Sequence, residues 1–405
     1  MATGKAPSGT LHPVKGFQLG TVKAGIRYPD RRDLVVMRWP EEGSVAGVFT
    51  QNAFCAAPVL LCRERMQSSP CALLVNTGNA NAGTGEQGMS DARRTTAAVA
   101  EALDVRSEQV LSFSTGVIGE HLPVERLETG IPGCVDNLSE DSWWHAAEGI
   151  MTTDTRPKGF SRQFEFEGHI YTVTGIAKGS GMIHPNMATM LTYIATDAAV
   201  EQALLQELLA EVADDSFNRI TVDGDTSTND SCILIATGKA GNPAIQDRDN
   251  ALFANLSEVV ADVCQDLAKA LVMDGEGATR FVTVAVQGAE TVEQAHTVAN
   301  TVALSPLVKT ALFACDPNWG RILAAVGRAP VDNLDVEKIQ ICLDDVQIAE
   351  QGGVAAGYRE ADGQAVMDKE AYTININLGL GSASTQVWTS DLSHEYVTIN
   401  AEYRT

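Results

Sequence analysis

The strongest chemical signal in the chain is the stretch Ala177-Lys-Gly-Ser-Gly-Met-Ile-His-Pro-Asn-Met-Ala-Thr-Met-Leu-Thr-Tyr-Ile-Ala-Thr-Asp197. A strand over Tyr171–Ile176 runs into a loop rich in glycine, and a second apolar strand starts at Met190. Thr189 stands at the junction, preceded by the small residue Ala188. A threonine hydroxyl is a weak nucleophile that needs a nearby base. If the chain cuts itself before Thr189, by hydroxyl attack on the Ala188 carbonyl, the new α-amine has an unperturbed pKa of roughly 7.7–8.0. That amine is then a general base on the nucleophile's own Cα. Gly179 and Gly181 would allow the bent backbone such an attack needs, and Lys178 would stabilise charge or bind a carboxylate. The competing reading is a turn-rich loop whose threonine bonds its own main chain, and taken alone the segment fits that reading better.

Ser114-Thr-Gly-Val-Ile-Gly119 follows an apolar strand over Val110–Phe113. A Thr-Gly pair lets N–H groups or a hydroxyl face a cavity with no bulky Cβ in the way, which is the raw material of an oxyanion hole. A plain tight turn explains the same residues more simply. Gly83-Thr-Gly-Glu-Gln-Gly88 matches the dinucleotide fingerprint, but Asn76–Ala82 separates it from the apolar run ending at Val75. The fingerprint requires the turn directly after the strand, so a structural glycine loop is preferred. No phosphate-binding loop of the G-x-x-x-x-G-K-[ST] type occurs.

The elements that must position these residues read as irregularly alternating strands and helices. Asp33–Trp39, Val45–Thr50 and Ala72–Val75 are apolar runs bounded by turn residues. Ser90–Leu103 reads as a helix capped by Ser90, and Glu201–Ala213 as an amphipathic helix. Further on come strands at Arg219–Asp223 and Cys232–Ala236, a long helix over Leu252–Met273, and strands at Phe281–Val286 and Ile339–Leu343. Helical material fills residues 291–325. The pattern argues an α/β or mixed α+β chain, with a smaller C-terminal subdomain from about residue 282.

Composition narrows the function. With 29 Lys+Arg against 52 Asp+Glu, the 405-residue chain carries a formal charge of −23. Nucleic-acid affinity comes largely from cationic neutralisation of phosphates, so such a chain is a poor polyanion binder. Anionic membranes are disfavoured for the same reason. The opening residues have no apolar stretch resembling a secretory signal, and no window approaches a membrane span, so a cytoplasmic location is expected. The eight cysteines are scattered without Cys-x-x-Cys spacing and the seven histidines are dispersed. This predicts free thiols in a reducing compartment and no metal centre.

Lys-Gly-Ser-Gly-Met-Ile-x-Pro-Asn-Met-Ala-Thr-Met-Leu, read from Lys178, resembles the self-cleavage and nucleophile motif of the ornithine acetyltransferase (glutamate N-acetyltransferase, ArgJ) family. The similarity continues in Asn76-Thr-Gly-Asn-Ala-Asn-Ala, Ser114-Thr-Gly-Val-Ile-Gly, Met151-Thr-Thr-Asp-Thr, Asp223-Gly-Asp-Thr-Ser-Thr-Asn-Asp, Met273-Asp-Gly-Glu-Gly-Ala-Thr and Asp316-Pro-Asn-Trp-Gly-Arg. His184 fills what looks like a variable slot, and Arg280 stands where the family often has lysine.

The resemblance implies an ArgJ/DmpA-like, self-cleaving fold of the N-terminal-nucleophile type. Cleavage between Ala188 and Thr189 would give fragments 1–188 and 189–405, associating as two copies of each. Thr189 is implied as the nucleophile, and Thr115 and Gly116 as the oxyanion hole. Thr152, Lys178, Glu276, Asn400 and the terminal Thr405 are implied as substrate contacts. The implied reaction moves an acetyl group from N2-acetylornithine to glutamate, in arginine biosynthesis, with no metal or cofactor. Whether acetyl-CoA also donates is left open. The alternatives are a self-cleaving aminopeptidase or amidohydrolase of the same fold, and a non-catalytic binding protein, which would be expected to have lost Thr189, Lys178 or Thr115.

The charge divides unevenly at the expected cut. Residues 1–188 hold 17 basic and 20 acidic side chains, and residues 189–405 hold 12 and 32. Such a field would draw in cationic ornithine derivatives, with salt weakening the effect, although a solubilising surface is the simpler account.

Overall fold

The computed structural model describes residues 2–184 and 190–402. Among these residues three sheets form. The first places Gln18–Val22, Leu34–Arg38, Ala72–Asn79 and Val110–Val117 side by side. The second orders Ser44–Phe49, Ser231–Ala236, Leu191–Thr196, His169–Lys178 and Lys158–Phe166.

Period-2 alternation explains how these two sheets meet. Val35, Met37, Leu73, Val75, Leu111 and Phe113 of the first share one buried cluster with Ile176, Leu191, Tyr193, Ala195, Ile233 and Ile235 of the second. Phe113 and Tyr193 touch edge to face across it, their ring centroids 5.4 Å apart. The residues between them point outward. Leu34, Val36, Ala72 and Leu74 pack under the helices Gly85–Leu103 and Val124–Asp136. Ile194, Cys232 and Leu234 pack under Gln202–Asp214 and Ala251–Met273. The result is a helix–sheet–sheet–helix sandwich.

The third sheet runs Gly353–Val354, Val346–Glu350, Gln340–Leu343, Ala371–Asn377, Phe281–Ala289, Ala383–Ser390 and Ile220–Thr221. The helices Val292–Ala303, Pro306–Phe313 and Trp319–Gly327 share its core. Its last strand joins it to the sandwich, since Ile220 and Thr221 pair with Trp388 and Thr389.

Several expectations need correction. The helix expected from Ser90 begins at Gly85, which leaves Ser90 an exposed residue in its interior. The apolar run expected to end at Val75 continues as strand to Asn79. Thr115 and Gly116 lie inside the strand Val110–Val117 and not in a turn after it. Parallel pairing with Ala72–Asn79 carries the strand past its apolar residues. The Gly83–Gly88 segment, read as a structural glycine loop, is held by Asn81 just before it: Thr84 donates to Asn81 at 2.8 Å, and Asn81 Nδ2 to the Gly88 carbonyl at 2.9 Å.

A buried ion triad ties distant parts of the sandwich together. Lys158 Nζ lies 2.6 Å from Asp154 Oδ1 and 2.6 Å from Asp274 Oδ2, with all three side chains 0% exposed. Removing the shared cation would leave carboxylates buried without it, which typically costs about 3–5 kcal/mol. Lys158→Met is therefore expected to lower unfolding free energy by about that amount in urea titration, and a loss under about 1 kcal/mol would contradict this reading.

Candidate active site

Six of the residues singled out from sequence come together. Thr115, Gly116, Thr152, Lys178, Glu276 and Asn400 all line one cavity of about 260 Å³. Ala188, Thr189 and Thr405 lie outside the described residues. Lys178 ends the strand His169–Lys178, where it pairs with Leu191, the second residue after Thr189 in sequence.

One wall of the cavity is built from glycine against glycine. Gly116, at φ +138°, sits beside Gly78, and a Cβ on Gly116 would run into the backbone of Gly78 and Asn79. No larger residue fits there without moving a strand. Asn229 fastens this wall to the second sheet, its Nδ2 donating to the carbonyls of Ala80 at 2.6 Å and Ser114 at 2.9 Å.

Lys178 Nζ donates to Thr115 Oγ1 at 3.1 Å, and both side chains are buried. An ammonium can only donate, so Thr115 accepts with its oxygen and keeps its own proton for another acceptor. Burial lowers the Lys178 pKa, while Asp154, Asp230 and Glu276 act to raise it. Burial alone would raise the pKa of Asp154, yet Lys158 and Lys178 outweigh it and hold this carboxyl below the usual range.

Asp154 also sets the backbone. It accepts from the Thr152 N–H at 2.9 Å and from the Gly179 N–H at 2.8 Å. The loop after Lys178 is then stitched down residue by residue. Ser180 Oγ donates to the Asp274 carbonyl at 2.8 Å, and the Glu276 N–H to the Ser180 carbonyl at 2.8 Å. The N–H groups of Met182 and Ile183 donate to Asp223 at 2.6 and 2.9 Å. Gly181 has no side chain because the Glu276 carboxylate occupies the place a Cβ would take. Asn400, on the helix His394–Ala401, donates to Glu276 Oε2 at 2.8 Å.

Sequence reasoning did not single out Asp154, Lys158, Asp274, Asp223 or Asn229. Asp154, Asp223, Asn229 and Asp274 all stand within segments noted for their resemblance. Apart from the Asp154 contacts with Lys158 and Thr152, the contacts they make in the site are long-range, and no local pattern marks them. Arg280, noted as a departure, is engaged outside this cavity, where it donates to the Met367 carbonyl at 3.2 Å.

The arrangement offers a cation beside a hydroxyl on a glycine wall, with a carboxylate opposite, at the mouth of a glycine-rich loop. That is the equipment of an acyl-transfer site in a mixed α/β enzyme. A family model described as the ArgJ family matches residues 18–405, and the chain belongs to that family. It is 60% identical to the "Arginine biosynthesis bifunctional protein ArgJ" of Pseudomonas fluorescens (strain Pf0-1) over 405 residues, all of both chains. The protein of the same name from Pseudomonas syringae pv. tomato is 59% identical, again over the full length of both. Among solved structures, that of the arginine biosynthesis bifunctional protein from Bacillus halodurans has a TM-score of 0.51 and 38% identity, covering 53% of this chain and 100% of its own.

The lowered pKa of Lys178 has a consequence for stability. Between its folded value and its unfolded one of ~10.4, the unfolded chain binds more protons, so this group adds stability as pH rises. The difference in unfolding free energy between wild type and Lys178→Met is expected to shift toward the wild type across that alkaline window. Urea titrations at successive pH values check it, and a difference independent of pH would contradict the assignment.

Proposed function

We propose that this chain is a glutamate N-acetyltransferase that takes its acetyl group from N2-acetylornithine, working through an acetyl ester on Thr189. The observation that carries this reading is the Lys178–Thr115 hydrogen bond beside Gly116, in a cavity that also holds Thr152, Glu276 and Asn400. Membership of the ArgJ family, and relatives named for arginine biosynthesis, support it from outside the geometry.

Maturation comes first. The Thr189 hydroxyl attacks the Ala188 carbonyl, the peptide nitrogen leaves, and water hydrolyses the resulting ester. This frees the Ala188 carboxylate and the Thr189 α-amine. In the first half-reaction the Thr189 oxygen attacks the acetyl carbon of N2-acetylornithine and passes its proton to its own α-amine. The C–N bond breaks, the α-amine returns the proton to the departing nitrogen, and ornithine leaves. In the second, the neutral amine of glutamate attacks the ester and gives up a proton through the same base. The threonine oxygen takes the proton back as N-acetylglutamate forms.

Thr115 Oγ–H and the Gly116 N–H stabilise the oxyanion in each step. Removing one such donor costs typically ~3–4 kcal/mol. Lys178 and Thr152 hold the α-carboxylate, Glu276 meets the ornithine ammonium, and Thr405 is a further substrate contact. Asn400 orients Glu276 by the hydrogen bond between them.

The chemistry needs no metal or cofactor. The relatives are called bifunctional, which supports acetyl-CoA as a second donor to the same threonine. The fragments stay together as two copies of each. Eight free cysteines suit a reducing cytoplasm. No helix among the described residues is long and apolar enough to cross a membrane.

A denaturing gel of the purified wild type is expected to show two fragments of about half mass. Thr189→Ala is expected to give one uncut band and no acetyl transfer, and an intact wild-type chain with full activity would contradict the mechanism. Thr115→Val is expected to fold normally but, once matured, to lose about 10²–10³-fold in kcat, measured as N-acetylglutamate formed.

A further inference from the structure

The oxyanion wall has a second side. Behind Gly116 and Val117 lies another cavity, of about 210 Å³, and Thr152 and Thr153 border it as well as the first. The two differ in charge. The first holds one cation and one anion, Lys178 and Glu276, whereas the second is lined by Arg27 and Arg31 with Asp33.

Asp33 is turned inward. It is buried, and its two oxygens accept the N–H groups of Ala24 and Ile26, each at 2.6 Å. Arg31 is fixed on the turn that presents Thr152, donating to the carbonyls of Met151 at 2.6 Å and Thr152 at 3.1 Å. Arg27 lies against Gly78, where an added Cβ would come within 2.8 Å of the arginine's own Cβ. Its carboxylate partner, Glu120, is 3.2 Å away with 54% of its side chain exposed. Two anchored cations therefore face a half-enclosed space with one buried anion to balance them.

The proposed reaction, on which this inference rests, brings two amino acids of opposite side-chain charge to one nucleophile. The ornithine ammonium finds Glu276. A glutamate side chain placed there would set carboxylate against carboxylate, which is repulsive in a partly desolvated site. We propose that the cavity lined by Arg27 and Arg31 is the subsite for the side-chain carboxylate of the acceptor amino acid. Both substrates share the α-carboxylate and the reacting nitrogen, and their side chains part on either side of the Gly116 wall.

The test is Arg27→Gln, assayed by steady-state kinetics in the full, matured protein. The KM for glutamate is expected to rise about tenfold, with the KM for N2-acetylornithine and the exchange of labelled ornithine within about twofold of wild type. Discrimination of glutamate over glutamine as acceptor should narrow, and Arg27→Lys should recover part of the loss. Equal rises for both substrates, or no change in either, would overturn the assignment. So would a rise confined to acetyl-CoA, since the cations would then serve the donor's phosphates. If wild type fails to transfer acetyl from N2-acetylornithine to glutamate, the underlying function is what falls.

Discussion

Asp154 is the residue on which the site's geometry turns. One buried carboxylate receives Lys158, the Thr152 N–H and the Gly179 N–H, and Lys178 lies in its field. Burial works against its charge, and two lysines reverse the outcome. Buried ion pairs seldom contribute much net stability over a well-packed apolar alternative, because desolvation offsets the attraction. What they impose is position. Asp154 fixes where the loop begins, where Thr152 points and how Lys178 meets Thr115.

The sandwich makes that position reachable. Two sheets packed through alternating side chains bring the ends of Val110–Val117 and His169–Lys178 close enough for Lys178 to bond Thr115. The paired glycines at 78 and 116 thin the wall between two cavities, so that one strand end serves both. A rigid scaffold carries the groups that must be aligned, which is what electrostatic preorganisation requires.

Much of this was legible in the sequence, and the part that was not has a physical explanation. Periodicity located the buried strands and the long helices because it reports which face meets the core. It placed the helix start at Ser90 and not at Gly85, since Gly85 and Gly88 speak against a helix locally. Position 88 is glycine because Asn81 and Thr84 occupy the space a Cβ would take. The strand ends at Asn79 and Val117 were missed because polar residues there are held by pairing and not by burial pattern. The family motifs brought the cavity residues forward. The Lys158–Asp274 contact spans 116 residues, and no local spacing encodes it.

The double-displacement mechanism requires that Thr189 carry the acetyl group. Wild-type protein mixed with N2-acetylornithine without glutamate, quenched in acid and examined by intact and peptide mass spectrometry, tests this directly. A gain of one acetyl group is expected on the fragment beginning at Thr189, located on that residue and discharged when glutamate is added. A fragment that stays unmodified while turning over, or an acetyl group on another side chain that glutamate discharges, would contradict it.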